Sequence, residues 1–194
     1  MSLSAARPGV ALATWTSATA EVGQRIEVVD AELVAEKVGG NPHHRIATRL
    51  ALAFEEQWPG SYAAAPGNWA LTLAPDGSVL SGRIPDVLVD GPALNEDSVC
   101  TEVPRAAVEV HSPGNTLAEM NEKRSEYLKA HLPVLLEAYL TAEQQVHLEW
   151  LDNAGHSWRT AATAVGETLL DIPASDAHPA FRVVPNDLLG RGRS

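Results

Sequence analysis

The chain holds one cysteine, Cys100, in 194 residues. A single thiol excludes an intramolecular disulfide framework and a cysteine-built zinc cluster, and a reducing, cytoplasmic setting is expected. Positive charge is also scarce: 14 Lys and Arg stand against 25 Asp and Glu, a formal net charge of −11. Proteins that bind nucleic acid by unassisted electrostatics usually show a basic face. Such a role here requires a local basic groove, or metal ions that offset local carboxylates. No apolar run reaches the roughly 18 residues of a bilayer span, so no membrane segment is expected. The opening "MSLSAARPGVALATW" lacks a charged leader before a long apolar stretch, so no signal peptide is expected. There is no Gly-rich phosphate loop, no serine or cysteine nucleophile motif, no repeat and no low-complexity tract, and most histidines lack metal spacing. What is there is ordinary: 45% hydrophobic and 20% charged residues, enough for a core and too little charge for wholesale disorder. The length fits one domain over residues 11–194, preceded by a flexible tail at 1–10.

Local patterns predict more strands than helices. "RIEVVD" (Arg25–Asp30) and "AELVAEK" (Ala31–Lys37) read as short strands. "NPHHRIATRLALAFEEQW" reads as a helix with Asn41 as N-cap and Pro42 at the first helical position. Ile46, Leu50 and Phe54 recur at helical spacing beside Ala47 and Ala51, and Pro59 and Gly60 stop the run. "NWALTL" meets the turn signal "APDGS", and "RIPDVLVDG" reads as one strand with Pro85 near its start. "RAAVEV" is nearly continuous in apolar residues, as inside a sheet. A helix follows from Thr116 to about Ala130, then a second core strand, "PVLLEAYL". "QQVHLEWL" and "SWRTAATAV" suggest a hairpin around Asp152–Gly155, "ETLLDI" and "FRVV" late strands, and "PNDLLG" a last helical turn. The central strand–helix–strand unit predicts a mixed sheet with a right-handed parallel crossover.

Acids in the strand patterns carry the chemistry. In "RIPDVLV", alternation puts Ile84, Asp86 and Leu88 on one face, where a carboxylate is costly unless paired or solvated at an edge. In "VEVHSPGNTLAEMNEKRSEY", Ala107, Glu109 and His111 share a face opposite Ala106, Val108 and Val110. A mid-strand acid there calls for a buried ion pair, a polar network or a metal. The strand breaks at Pro113 and Gly114. Thr116 and Glu119 fit a capping box, so Glu119 reads as a cap. Leu117, Met120, Arg124, Tyr127 and Leu128 form the helix's inner stripe, with Lys123 at its edge. Lys123 reaches either toward the sheet or to Glu119 as an i,i+4 surface pair. Two acids on successive strands and a lysine just after the second suit a Mg²⁺ ion and metal-assisted phosphodiester hydrolysis.

These residues resemble the Uma2 family, also called DUF820, described as restriction endonucleases within the PD-(D/E)XK nuclease superfamily. The matching positions are Pro85-Asp86, Glu109-Val110, Ser112-Pro113, Lys123 and Tyr127. Upstream, "IEVVDAELV" adds Glu27 and "NPHHRI" adds His43, so the resemblance covers roughly Ile26 to Leu140. It departs at His111, where the superfamily's lysine usually stands, and at His131-Leu132 and Tyr139, where the family has Gly-Val and often Asp. The resemblance implies a restriction-endonuclease-like α/β fold: a mixed sheet flanked by helices, with additional C-terminal antiparallel strands. It implies Asp86, Glu109, Glu27 and the Val110 carbonyl around Mg²⁺ or Mn²⁺. Lys123 then positions the water or stabilises the transition state, and His43, at the second helical position, contacts the site or its substrate. The expected substrate is DNA and the expected assembly a homodimer. The rival readings are a binding or regulatory module that kept the fold without catalysis, and a nuclease acting on RNA or a small nucleotide.

Overall fold

The chain builds two large sheets, which share the elements around one cleft, and a separate two-stranded one. The structure is a computed structural model and describes residues 8–90, 99–112 and 115–190. Of the expected tail, residues 1–7 lie outside that range, while Val10 bridges Val79. The strand break at Pro113 and Gly114 also lies outside it.

A short helix, α1 (Leu12–Thr16), leads into the hairpin of β1 (Gln24–Val29) and β2 (Glu32–Lys37). The loop is two residues, Asp30 and Ala31, with φ of 49° and 63°. Positive φ at both positions is the geometry that matches the twist of paired strands. It fixes the register and puts Arg25 opposite Glu36. Helix α2 (Asn41–Gln57) follows. Gly40, not Asn41, is its N-cap, and no side chain caps it. Asn41 is therefore the first helical residue and His43 the third. The expected inner stripe holds: Ile46, Ala47, Leu50, Ala51 and Phe54 are buried.

Next come β3 (Ala63–Ala64), β4 (Asn68–Leu73), β5 (Val79–Arg83) and β6 (Val87–Val89). The pattern of "RIPDVLVDG" predicts one strand. It is instead the crossing between sheets, with Arg83 ending β5, Asp86 in a bend, and β6 beginning at Val87. Pro85 has no N–H to offer a ladder, which suits it to this break. Then β7 (Val99–Cys100), β8 (Ala106–His111), α3 (Leu117–Lys129) and β9 (Val134–Leu140) follow. The long hairpin β10 (Val146–Asn153) and β11 (Trp158–Val165), the small pair β12 (Leu170–Ile172) and β13 (Phe181–Val183), and a 3₁₀ turn at Pro185–Leu189 complete the order.

One sheet has the order β2-β1-β5-β4-β7 and the other β11-β10-β9-β8-β6-β3. Both are mixed: β8 pairs with β9 in parallel across α3, and β4 with β7 in parallel. The second sheet lies between two helices. Ile46, Leu50 and Phe54 of α2 pack on Val87, Ala106, Val108 and Leu136. On the opposite face, Tyr127 of α3 packs with Leu88, Ala107 and Leu135. Full burial of a side chain such as Leu50 or Phe54 is worth about 1.5–3 kcal/mol. The first sheet has its own core of Trp15, Val28, Ala70, Val79 and Ile84. Gly82 makes that possible, because a Cβ there would meet the Trp15 ring at 2.6 Å. Leu117, expected in the inner stripe of α3, is the helix's first residue and is 76% exposed. Among the described residues no helix is long and apolar enough to cross a membrane.

Candidate active site

The β1–β2 hairpin, the bend at Asp86, the end of β8 and the first turns of α3 meet at one cleft. Arg25, His43, Asp86, Glu109, Val110, His111 and Lys123 line it. Every one of the expected polar side chains except Glu27 reaches its wall. Glu27 lies directly behind, fully buried.

Each placement has a local cause. Because β6 pairs with β8 only as far as Val87↔Val108, the Val110 amide is left to find another acceptor. It donates to Asp86 Oδ2 at 2.7 Å. Arg25 Nη1 donates to Asp86 Oδ1 at 2.8 Å. His43 Nε2 lies 3.1 Å from Asp86 Oδ2, and its buried Nδ1 has no hydrogen-bond partner. The ring lies against Gly39, where a Cβ would come within 2.4 Å of it. Burial works against the Asp86 charge. His43, Arg25 and the Val110 amide outweigh it and bring the carboxyl down to about 2.

Glu109 is held differently. It is 5% exposed and accepts one hydrogen bond on Oε1, from Tyr127 OH at 2.5 Å. Among the described residues its Oε2 has only distant cations, Arg25 Nη2 at 3.9 Å and Lys123 Nζ at 4.0 Å. Burial, aided by the neighbouring Asp86 charge, raises its pKa above the usual glutamate range, and Lys123, Arg25 and Tyr127 do not cancel that. Burial and Glu109 together push the Tyr127 hydroxyl up, so it remains a donor.

Lys123 points into the cleft and not toward Glu119. Its Nζ donates to Glu36 Oε2 at 2.9 Å and Glu27 Oε1 at 3.3 Å. Glu119 closes the expected capping box with Thr116. Burial opposes the lysine's charge, but Glu109, Glu27 and Glu36 raise its pKa, so it stays a cation.

Glu27 has both oxygens engaged. Oε1 accepts from the Ile84 amide at 3.0 Å and from Lys123, and Oε2 accepts from Arg83 Nη1 at 2.9 Å. Burial raises its pKa, yet Lys123, Arg25, Arg83 and the Ile84 amide bring it below the usual range. Among the described residues no group of three or more His, Cys, Asp and Glu side chains is arranged to hold a metal ion. The expected three-acid ligand set is therefore not assembled, because Glu27 is committed to the cations behind the cleft. Asp86, Glu109 and the Val110 carbonyl remain. All are hard oxygen donors of the kind Mg²⁺ takes. A guanidinium within reach of both carboxylates shows that the position accepts positive charge, so these residues fit a divalent cation.

Sequence reasoning missed Arg25, Glu36 and Arg83. Arg25 and Glu27 lie two apart on one strand and so share a face, and the two-residue turn dictates Glu36 as the neighbour of Arg25. It also missed Glu137, which lies beside Glu109 in the parallel register. Arg124 Nε donates to both Glu137 oxygens, at 2.8 and 3.0 Å, and His111 Nε2 lies 3.3 Å from Oε1. Thus α3 gives each strand acid its own cation, Lys123 near Glu109 and Arg124 on Glu137. The mid-strand argument that singles out Glu109 applies equally to Glu137 in "PVLLEAYL".

No curated protein matches the sequence. A crystal structure described as a "putative nuclease belonging to DUF820", from Anabaena variabilis ATCC 29413, shares the fold with a TM-score of 0.61. The alignment covers 93% of this chain and 98% of that one at 10% sequence identity, so the likeness is one of fold. The profile of the Uma2 family, described as "putative restriction endonuclease", matches residues 13–174. The chain belongs to the Uma2 family.

Proposed function

We propose that the chain is a divalent-metal-dependent endonuclease of the PD-(D/E)XK type that hydrolyses DNA phosphodiester bonds in the Asp86–Glu109 cleft. One observation carries this reading. Two buried carboxylates from different segments turn toward a single cation at a cleft wall, and one of them, Glu109, has an oxygen with no short partner among the described residues. A carboxylate buried in that way is stabilised by a cation that arrives with the substrate.

Asp86, Glu109 and the Val110 carbonyl would hold Mg²⁺ or Mn²⁺. When bound, such an ion supplies Lewis acidity at a phosphoryl oxygen and makes water acidic enough to attack. The protein does the rest. His43 and the Val110 amide fix the Asp86 carboxylate in place, and Arg25 neutralises it while no metal is bound. Tyr127 does the same for Glu109. Lys123 is a poor base, since its neighbours keep it protonated. Its role is to donate toward the charge that develops on the phosphate or to hold the attacking water, and Glu27 and Glu36 aim it. Glu27 is thus assigned as the anchor of Lys123.

A second reading, a binding module without catalysis, draws on the net charge of −11 and on the guanidinium already between the acids. The test is cleavage of plasmid, single-stranded DNA and RNA with Mg²⁺ or Mn²⁺, with EDTA and Glu109→Ala as controls. Metal-dependent cleavage of DNA that the variant lacks supports the nuclease. Cleavage of RNA alone reassigns the substrate. Retained binding with no cleavage of any substrate favours the module.

A further inference from the structure

Two arginines approach both Glu27 and Glu36, and they are bonded very differently. Arg83 spends its fork fully: Nε donates to Glu126 at 2.6 Å, Nη1 to Glu27 at 2.9 Å and Nη2 to Glu122 at 2.9 Å. It ties β5 to α3 and to β1. Among the described residues Arg25 makes one short bond, to Asp86. Its other approaches are long: Glu27 at 3.4 Å, Glu36 at 3.5 Å and Glu109 at 3.9 Å. Its Nε is buried without a hydrogen-bond partner. A guanidinium is strongest when it meets a carboxylate through two parallel bonds. Arg25 is instead held by summed charge at the rim of the cleft, where its side chain keeps 14% exposure against 4% for Arg83.

We infer that Arg25 is a resident counter-ion, displaced from Asp86 and Glu109 when a divalent metal binds and then able to take a phosphate of the substrate. The inference rests on the nuclease reading above and adds regulation to it. Metal and guanidinium compete for the same oxygens, so metal binds weakly to the free protein. A phosphate gives the displaced guanidinium a partner, so nucleic acid and metal bind with positive coupling. Such coupling is reciprocal. The enzyme then loads its metal chiefly in the presence of a phosphodiester.

The test is Mn²⁺ affinity, measured by the loss of free Mn²⁺ signal in electron paramagnetic resonance. It uses the full chain as wild type, Arg25→Met, Arg25→Lys and Glu109→Gln, each with and without an uncleavable phosphorothioate DNA duplex. Arg25→Met should bind Mn²⁺ more tightly than wild type, by a factor within the roughly 5–150-fold range of ordinary site coupling. The duplex should tighten Mn²⁺ binding to wild type and leave Arg25→Met nearly unchanged. Arg25→Lys retains a charge without the fork that spans two carboxylates. It should gain affinity to a smaller extent, and it carries the test if Arg25→Met does not fold. Wild-type affinity, or weaker, in both folded Arg25 variants overturns the inference while leaving the nuclease reading intact, provided Glu109→Gln loses Mn²⁺. No Mn²⁺ binding by wild type with or without the duplex overturns both.

Discussion

Glu109 and Glu137 are neighbours in one parallel ladder, yet their environments push them in opposite directions. Burial raises both, but the Arg124 fork, His111 and Tyr139 bring Glu137 down to about 2 against a usual 4.5. Its folded value is depressed, so its contribution to stability is present above the usual value and lost as pH falls from 4.5 toward 2. Glu109 has a raised value and contributes with the opposite sign, weakening the metal-free fold as pH rises through it. Glu137→Gln should therefore lower the Tm at neutral pH, toward the low end of the roughly 3–5 kcal/mol for breaking a buried pair, since Arg124 is partly solvated. It should also flatten the acid limb of the Tm–pH curve. Glu109→Gln without metal should hold or raise the Tm, and it should remove any gain from Mg²⁺. Thermal melts across that range check both. Lys123 belongs to this scale too. Its side chain is 12% exposed, so Lys123→Met costs more than an ordinary surface change, on the order of 1–3 kcal/mol for buried partners left unmet. Single-turnover cleavage should fall by roughly 10²-fold or more while Mn²⁺ binding persists. Asp86, Glu109 and Lys123 were legible because an acid in an apolar strand and a cation at a stripe edge need a reason to be there. Arg25 and Glu36 were harder to see, since their meaning lies in what faces them across the hairpin.

At the level of elements, legibility followed length and local chemistry. Helix α3 announced itself through Thr116 and Glu119, whose capping box forms as the spacing required. Thr116→Ala should cost about 1 kcal/mol, seen as a lower Tm, because the box closes the end of the helix that carries Lys123. The β8–α3–β9 unit was readable as well, since a helix between two apolar strands leaves few alternatives. In contrast, α1, β3 and β7 are too short for any periodicity to show, and they exist because tertiary neighbours complete them. The split of "RIPDVLVDG" into two strands of different sheets left its strand pattern unbroken, because both sides of the break are apolar and buried. The hairpin is the most sensitive element. Ala31 at φ 63° pays a left-handed penalty, and a β-branched residue there is worse. Ala31→Val should lower the Tm and, by disturbing the Arg25–Glu36 register, should weaken activity further than its Tm implies.

For the whole molecule, the two large sheets meet at a cleft lined by both acids and cations, among them Arg25, Asp86, Glu109 and Lys123. The homodimer expected from the sequence is decided by sedimentation equilibrium on the free protein and on its complex with DNA. An overall charge of −11 makes long-range attraction to DNA weak. Binding should depend on divalent ions at the cleft more than on a broad basic face. The most direct measurement is single-turnover cleavage of a labelled DNA at saturating protein, with Mg²⁺ titrated, for wild type and for folded Glu109→Gln. Cleavage by wild type that rises to a plateau with Mg²⁺ and is lost in Glu109→Gln is the expected result. Cleavage by Glu109→Gln at the wild-type rate, or a wild type that cuts no DNA at any Mg²⁺ or Mn²⁺ concentration, would contradict it.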